Sequence, residues 1–309
     1  MPITILFLSS AEISLPLLGA LLKDKSFEVV GLVCQPDKPA GRDKIMKAPA
    51  PKLFAERHGL EVFQPVKLRD DTELLNRFSE NPPDIILTFA YGQILPKSFL
   101  DLALPLNVHT SLLPKYRGAS PIHSAILNGD KVSGFSLMKM VQKMDEGPVY
   151  HIEKFDLNEH ITTGILHDGL ADLAAKSVPE LLIKIHNSEV EAVEQKHAEA
   201  SYCSKISKDD GFLDFSDSAE MVFRKFHAYS PWPGLWTTFD SKRLKLLDIA
   251  LSDKKLKAGE VLFEADKLFV GTSKGSIELL QMQLEGKQCM HPKSFILGQK
   301  EFSSGLLPS

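Results

Sequence analysis

Apolar runs and amphipathic segments alternate along the first two-thirds of the chain. The apolar runs have the length of buried strands and lie at residues 3–8, 27–34, 85–90 and 134–140. The amphipathic segments have helical spacing and lie at residues 15–22, 51–58, 121–128 and 163–185. Strands that alternate with helices predict a parallel-rich sheet covered by helices on both faces. The pattern therefore predicts an α/β fold for this part of the chain.

The pattern changes after about residue 187. Residues 188–210 are polar, and a helix is predicted at 218–229. Short β-like runs separated by turn residues then follow at 244–249, 260–263, 268–271 and 276–282. Such spacing predicts a small sandwich or barrel. Since 309 residues exceed the usual size of one core, we predict a domain at 1–187, a linker at 188–208 and a second domain at 209–309.

Composition places the chain among ordinary globular proteins. It is 43% hydrophobic and 25% charged. No apolar run approaches the length of a membrane span, and the first residues lack the basic region of a signal peptide, so we expect a cytoplasmic protein without membrane contact. The three cysteines are widely separated, which favours reduced packing residues over a disulfide framework or a C-x-x-C metal site.

Positive charge is concentrated in one segment, although the net charge of −4 argues against a strongly basic nucleic-acid protein. Residues 36–52 contain more cations than anions, and the cations are Lys38, Arg42, Lys44, Lys47 and Lys52. Proline and glycine interrupt this segment repeatedly, which predicts an irregular surface loop. In isolation such a loop is more often solvated surface than a binding site.

Three polar side chains form the candidate chemical site. Asn107 and His109 are two residues apart, so both project from one face if residues 106–110 form a strand. Asp145 follows a strand-like run and precedes Gly147, at a place where α/β sheets present ligands. An amide and a protonated imidazole can donate to an oxygen that becomes negative, while a carboxylate holds the imidazole. The set favours acyl transfer to a substrate nucleophile; a turn-forming aspartate and a core histidine are the alternatives.

Other reaction classes have weaker support in the sequence. Ser111 with His109 and Asp145 could indicate a hydrolase, but Ser111 lacks a G-x-S-x-G elbow and lies unusually close to its histidine. Neither G-x-G-x-x-G nor a P-loop motif is present. The histidines are scattered without metal-ligand spacing, so we expect chemistry without a metal.

Two strings carry a family resemblance. Residues 107–122 (NVHTSLLPKYRGASPI) and 144–149 (MDEGPV) resemble the signature of the folate-dependent formyltransferases. Residues 34–42, 89–96 and 229–236 resemble the branch of that family that acts on initiator methionyl-tRNA. The resemblance covers nearly the whole chain. It implies a Rossmann-like N-terminal formyltransferase domain followed by a smaller OB-like β-barrel that binds tRNA.

The same resemblance implies the reaction and its residues. The formyl group of 10-formyltetrahydrofolate would pass to the α-amino group of methionine on initiator methionyl-tRNA, for translation initiation. Asn107, His109 and Asp145 would be catalytic. The donor would be bound by Phe89, Ala90, Tyr91, Gly92, Ser111, Leu112, Leu113 and Pro114. The tRNA would be bound by Lys38, Arg42, Lys44, Lys47, Lys205 and Lys208. No metal is implied, and we expect a monomer.

Some features leave alternatives open. Arg117 could approach the folate tail or the tRNA, or could be a surface arginine on a loop. Residues 9–13 read Ser-Ser-Ala-Glu-Ile where Gly-Thr-Pro-Glu-Phe is usual in the family, which predicts an altered turn after the first strand. The rival functions are a related formyltransferase acting on a small amine, which would not need the basic loop, and a non-catalytic RNA-binding protein, which would not need the trio.

Overall fold

The computed structural model of the protein describes residues 1–41, 44–299, 302, 306 and 307. The strands are β1 (Ile3–Leu8), β2 (Phe27–Val33), β3 (Lys38–Ala40), β4 (Ile45–Lys47), β5 (Val62–Phe63), β6 (Ile85–Thr88), β7 (Leu104–His109), β8 (Arg117–Gly118), β9 (Val132–Lys139), β10 (Val149–Asp156), β11 (Tyr202–Cys203), β12 (Leu235–Phe239), β13 (Lys242–Ser252), β14 (Val261–Glu264), β15 (Lys267–Gly271) and β16 (Ser276–Leu284). The α-helices are α1 (Leu15–Lys23), α2 (Ala50–Arg57), α3 (Thr72–Glu80), α4 (Lys97–Leu100), α5 (Pro121–Leu127), α6 (Thr163–His186), α7 (Ala219–Ala228) and α8 (Pro292–Gly298). None of the helices in the described part is long and apolar enough to cross a bilayer.

The chain forms two compact units. The first contains residues 1–121, 132–156 and 167–203. The second contains residues 122–131, 157–166 and 204–309. Residues 188–203, which were predicted as linker, group with the first unit by their contacts. The boundaries of independently folding domains at 187 and 208 stay a prediction.

A seven-stranded sheet organises the first unit. Its strand order is β10-β9-β7-β6-β1-β2-β5. The five strands from β7 to β5 are parallel, and the β9–β10 hairpin adds two antiparallel strands beside β7. The parallel-rich sheet predicted from the alternation of strands and helices is confirmed. Because parallel strands end at the same edge of a sheet, the segments that follow β1, β6 and β7 meet at one edge.

The β1, β6 and β7 register decides which side chains share a face of this sheet. Ile86 pairs with Leu6, and Thr88 pairs with both Leu8 and Asn107. Leu6, Leu8 and Ile86 belong to a buried apolar cluster that also contains Tyr91 and residues of α3 and α4. The Asn107 side of β7 therefore lies on the face that this cluster covers.

The turn after β1 is built without the glycine and proline that are usual in the family. Ser9 is fully buried, and its hydroxyl accepts a hydrogen bond from Ala11 N at 3.3 Å. Ser10 Oγ accepts from Gln35 N at 2.9 Å, which ties the ends of β1 and β2 together. Local hydroxyl bonds of this kind stabilise turns. The altered sequence at 9–13 therefore still gives a defined turn into α1.

The basic loop is more regular than the sequence suggested. β3 and β4 pair as an antiparallel hairpin, so the prediction of an irregular loop was wrong for residues 38–40 and 45–47. Pro39 has no N–H to donate, but a short two-stranded hairpin leaves edges where proline is tolerated. Lys52 lies in α2 and pairs with Asp37 at 2.9 Å, so it anchors the base of the hairpin.

The second unit contains a five-stranded antiparallel sheet with the order β12-β13-β16-β15-β14. Alternate residues of its strands, such as Leu244, Leu246 and Leu279, are buried. Phe295 of α8 packs edge-to-face on Phe302, with ring centroids 5.0 Å apart. The smaller C-terminal β unit predicted from the short β-like runs is confirmed.

Candidate functional site

β7 carries two of the three predicted catalytic residues. Asn107 and His109 lie at the end of this strand, two residues apart and therefore on one face. Asn107 pairs with Thr88 of β6 and with Met138 of β9, while His109 pairs with Ser136 of β9. Strands on both sides fix the backbone of these two residues, so the sheet determines the positions of their Cα and Cβ atoms.

Both ring nitrogens of His109 have defined neighbours. Nε2 lies 3.0 Å from the carbonyl oxygen of Tyr116, and Nδ1 lies 3.7 Å from Asp145 Oδ1. A carbonyl oxygen only accepts hydrogen bonds, so Nε2 carries a proton. In the neutral ring Nδ1 is then unprotonated, and a proton added there faces a carboxylate. The histidine side chain is buried, with 6% exposed.

Asp145 reaches His109 from the loop between β9 and β10. Its backbone has a left-handed conformation, with φ of 54°, which aspartate tolerates better than most residues. Gly118 N donates to Asp145 Oδ2 at 2.8 Å, and Oδ1 faces the imidazole. Asp145 is thus a turn residue and a neighbour of His109 at once, and the structure brings the whole trio together.

Two polar groups at this place lack partners among the residues that the structure describes. Among the described residues, no hydrogen bond is made by the Asn107 amide, which is half-buried. The Thr88 hydroxyl is buried and likewise has no partner within the described part. Since Thr88 pairs with Asn107 across the strands, these groups share one face of the sheet. Free donors and acceptors beside a buried imidazole can bind a polar ligand.

The predicted donor-binding stretches follow β6 and β7. Phe89 and Tyr91 are buried, whereas Ala90 and Gly92 are exposed and have positive φ. The Tyr91 hydroxyl is buried without a partner in the described chain, and burial raises its pKa above the ordinary value. Gln35 Nε2 donates to Tyr91 O at 3.1 Å, which holds this loop against the end of β2.

Hydrogen bonds and apolar contacts hold the stretch Ser111–Pro114, which follows β7. Ser111 Oγ donates to Lys115 O at 2.6 Å, so the serine is not directed at His109 and the hydrolase interpretation loses its nucleophile. Leu113 N donates to Ser136 Oγ at 3.0 Å, and Leu113 packs on Met138 and Val149. Leu112 and Pro114 are half-buried.

The predicted tRNA-binding residues that the structure describes are exposed. They are Lys38, Lys44, Lys47, Lys205 and Lys208. Lys38 Nζ donates to Gln35 Oε1, and Lys208 O accepts from Trp236 Nε1 at 3.3 Å. Arg42 lies outside the described residues. No group of three or more metal-ligating side chains occurs in the part of the chain that the structure describes.

Arg117 is a buried residue, so its interpretation as a surface arginine was wrong. It is 1% exposed, and its guanidinium bonds to the side chains of Gln195, His197 and Tyr202. Gln195 in turn donates to the backbone of the Asp145 loop. Sequence reasoning missed these contacts because Gln195 is 50 residues away from Asp145 and stands in a polar stretch without a motif.

Known proteins resemble the chain over nearly all of its length. Residues 3–182 match the family described as Formyl transferase, and residues 205–300 match the one described as Formyl transferase, C-terminal domain. The methionyl-tRNA formyltransferase of Dehalococcoides mccartyi strain CBDB1 is 38% identical over 303 residues, 96% of this chain and 96% of that protein. The methionyl-tRNA formyltransferase of Macrococcus caseolyticus strain JCSC5402 is 36% identical over 98% of this chain and 97% of its own length.

Solved structures share the fold at lower identity. WlaRD, a sugar 3N-formyl transferase, aligns with a TM-score of 0.68 and 17% identity over 93% of this chain and 100% of its own. HypX from Aquifex aeolicus aligns with a TM-score of 0.62 and 19% identity over 100% of this chain, which spans 51% of HypX. The family matches and the near full-length identities establish that the chain belongs to the methionyl-tRNA formyltransferases, within the formyl transferase family.

Proposed function

We propose that the enzyme transfers the formyl group of 10-formyltetrahydrofolate to the α-amino group of methionine on initiator methionyl-tRNA. The products are N-formylmethionyl-tRNA, which serves translation initiation, and tetrahydrofolate. The observation that carries this proposal is the buried imidazole of His109 between Tyr116 O and Asp145, beside the free amide of Asn107. This arrangement occurs in a chain that matches methionyl-tRNA formyltransferases over nearly its full length.

Each member of the trio has a role that its geometry supports. The Asn107 amide can donate to the formyl oxygen as that oxygen becomes negative, the kind of interaction that stabilises acyl-transfer transition states. His109 Nδ1 can take up a proton that the attacking amine gives up. Asp145 Oδ1 then faces the imidazolium and stabilises it. The amine belongs to the acceptor, so no protein nucleophile is needed.

The residues after β6 and β7 fit a folate donor, which supplies the formyl group when bound. A pterin ring needs apolar walls and a few polar groups at its edge. The loop at 89–92 presents the exposed residues Ala90 and Gly92, and Thr88 beside Asn107 has a buried hydroxyl that finds no partner in the described chain. HypX, a relative in fold, has been solved in complex with tetrahydrofolic acid. We assign donor binding to Phe89–Gly92 and Ser111–Pro114 on this basis.

The acceptor side depends on local positive charge. Lys38, Lys44 and Lys47 lie on the exposed β3–β4 hairpin, and Lys205 and Lys208 begin the second unit. Lysine contacts to phosphates position RNA without reading its sequence. We propose that these lysines, together with Arg42, hold the tRNA, that the C-terminal domain adds a further RNA contact, and that the enzyme acts as a monomer in the cytoplasm.

Formyl transfer from 10-formyltetrahydrofolate to charged initiator tRNA, compared with charged elongator tRNA, tests the proposal. We expect transfer to the initiator to be strongly preferred. His109→Ala should lower kcat/KM by about 10²- to 10⁴-fold, and Asn107→Ala by about 10²- to 10³-fold. His58→Ala, an exposed histidine at the end of α2, is the matched control and should stay near wild type. Equal transfer to a small amine, or full activity of His109→Ala, would contradict the proposal.

A further inference from the structure

Residues 193–203 form a segment that we call the strap. It follows α6 and runs past the loops that face His109. At one end Val193 bridges to Val149, the first residue of β10. At the other end β11 pairs in parallel with β8, so that Tyr202 lies beside Arg117 and Cys203 beside Gly118. The strap is therefore attached to both chain segments that contact the histidine.

The two protein groups that face His109 come from strained backbone. Tyr116, whose carbonyl meets Nε2, has φ of 58°, and Asp145, whose carboxylate faces Nδ1, has φ of 54°. A left-handed conformation is unfavourable for a residue with a side chain, although aspartate tolerates it better than tyrosine does. Such a conformation persists only where the surroundings fix it. Something must therefore hold each of these residues in place.

Side chains of the strap bond to both strained residues. Ser201 Oγ accepts a hydrogen bond from Tyr116 N at 2.9 Å. Gln195 Nε2 donates to Asp145 O at 2.8 Å and to Gly147 O at 2.7 Å, so one amide group closes the loop that carries the aspartate. Gln195 is 8% exposed, which protects these bonds from competition with water.

Arg117 fixes the orientation of the Gln195 amide. Its Nε and Nη2 donate to Gln195 Oε1 at 3.1 and 2.8 Å, and Nη2 lies 2.9 Å from His197 Nδ1. Since a guanidinium has donors only, the amide oxygen must face Arg117 and the amide nitrogen must face the loop carbonyls. The carboxylate of Glu146 approaches this buried cation, with Oε1 3.6 Å from Nη1.

We propose that Gln195, oriented by Arg117, is a positioning residue for catalysis: it sets where Asp145 stands relative to His109, while Ser201 does the same for Tyr116. The side-chain hydrogen bonds of Gln195 within the described residues run to Arg117 and to the backbone of the Asp145 loop, so in this proposal it acts through Asp145. This inference rests on the proposed role of the trio, because it assigns a support to one of its members.

Gln195→Glu provides the sharpest test. Glutamate keeps the shape and the acceptor for Arg117 but loses both N–H groups that hold the loop carbonyls. We expect kcat for formyl transfer to fall about 10- to 100-fold, with KM for tRNA and donor within about 2-fold. Thermal unfolding should stay cooperative with a lowered midpoint, because two buried hydrogen bonds are lost. Gln195→Met also lacks the donors and adds no charge, but it removes the acceptor for Arg117 as well. Its kcat should fall in the same way, and it serves if the glutamate variant fails to fold. Glu194→Gln, an exposed neighbour, is the matched control and should keep wild-type kcat.

A double-mutant cycle separates positioning from a general structural effect. If Gln195 acts through Asp145, Gln195→Glu should cost no further activity once Asp145→Asn is present. Hydrogen exchange of residues 140–148 gives a readout that needs no activity, and Gln195→Glu should speed it. Wild-type kcat in both Gln195 variants, additive losses in the cycle, or unchanged exchange would each overturn the inference. A wild-type enzyme that transfers no formyl group would instead refute the proposed function. The hydrogen-exchange experiment would still test whether Gln195 stabilises the Asp145 loop.

Discussion

At the scale of single residues, His123 couples the stability of the fold to pH. It lies half-buried in α5, where burial lowers its pKa below the ordinary 6.5 and a hydrogen bond to the backbone of Trp232 opposes this effect only in part. The folded protein thus holds the imidazole neutral at a pH where the unfolded chain takes up a proton. Its contribution to stability is present above the unfolded pKa and is lost as the pH falls toward the folded value.

We expect His123→Gln to make the protein less sensitive to mild acid. Glutamine can still donate to the Trp232 backbone but does not titrate. Between about pH 7.5 and about pH 5.5, which brackets the ordinary histidine pKa, the unfolding midpoint of the wild type should fall more than that of the variant. Thermal unfolding across this range measures the difference. Parallel curves for the two proteins would show that His123 does not contribute.

At the scale of elements, the short β8–β11 pair connects the strap to the site. Gly118 allows this pair to form, since a Cβ at its position would lie 2.2 Å from Cys203 O and its φ is 119°. The same residue donates its N–H to Asp145. The pairing of two dipeptides therefore depends on the absence of one methyl group.

We expect Gly118→Ala to destabilise the protein by about 2–4 kcal/mol, from the backbone clash and the left-handed conformation together. Formyl transfer should fall as well, because the N–H that holds Asp145 moves. Gly59→Ala is the control: its φ is 70° but nothing lies within 4 Å of the added Cβ, so only the conformational cost of about 1–2 kcal/mol applies. Urea denaturation and the transfer assay measure both effects, and equal stability losses would argue against the clash.

Most apolar strands and amphipathic helices could be predicted from sequence, whereas α3, β10 and the shortest strands were not. α6, α7 and β1 were predicted within about two residues of their observed ends because burial of a regular face determines them. The β3–β4 hairpin and the strap were missed, since strands of two or three residues carry no measurable period. In the strap, pairing also depends on a partner distant in sequence, Arg117 for Tyr202.

At the scale of the whole molecule, a net charge of −4 must coexist with binding to a polyanion. Under the proposed assignment the attraction is local, from lysines on the hairpin and at the start of the second unit. We expect KM for tRNA to rise about 10- to 100-fold between 50 and 200 mM salt, because the release of counterions from tRNA on binding becomes less favourable at higher salt. The double variant Lys38→Gln/Lys47→Gln should flatten the logarithmic salt slope by about 1 for each phosphate contact that it removes.

The salt dependence of KM for the folate donor is the control in the same assay. This KM should change much less with salt, because apolar walls rather than phosphate contacts bind a pterin. A salt slope that is identical in wild type and double variant would show that Lys38 and Lys47 of the hairpin do not contact tRNA phosphates.

The site itself was only partly predictable. Asn107 and His109 could be placed on one strand face because a period of two is local. Asp145 was added because it follows a strand-like run, and the family resemblance points to the same residue. What holds them could not be foreseen, since the partners of Tyr116 and Asp145 are side chains 85 and 50 residues further along the chain.

The position of the strap after α6 has a consequence for the order in which the chain is made. All three residues Asn107, His109 and Asp145 are present in the nascent chain once the ribosome has added Asp145. Their supports, Gln195 and Ser201, are added only some fifty residues later. A nascent or truncated chain that stops at residue 187 thus contains the three proposed catalytic residues and none of the strap, so the proposed support of Tyr116 and Asp145 is complete only once Cys203 has been added.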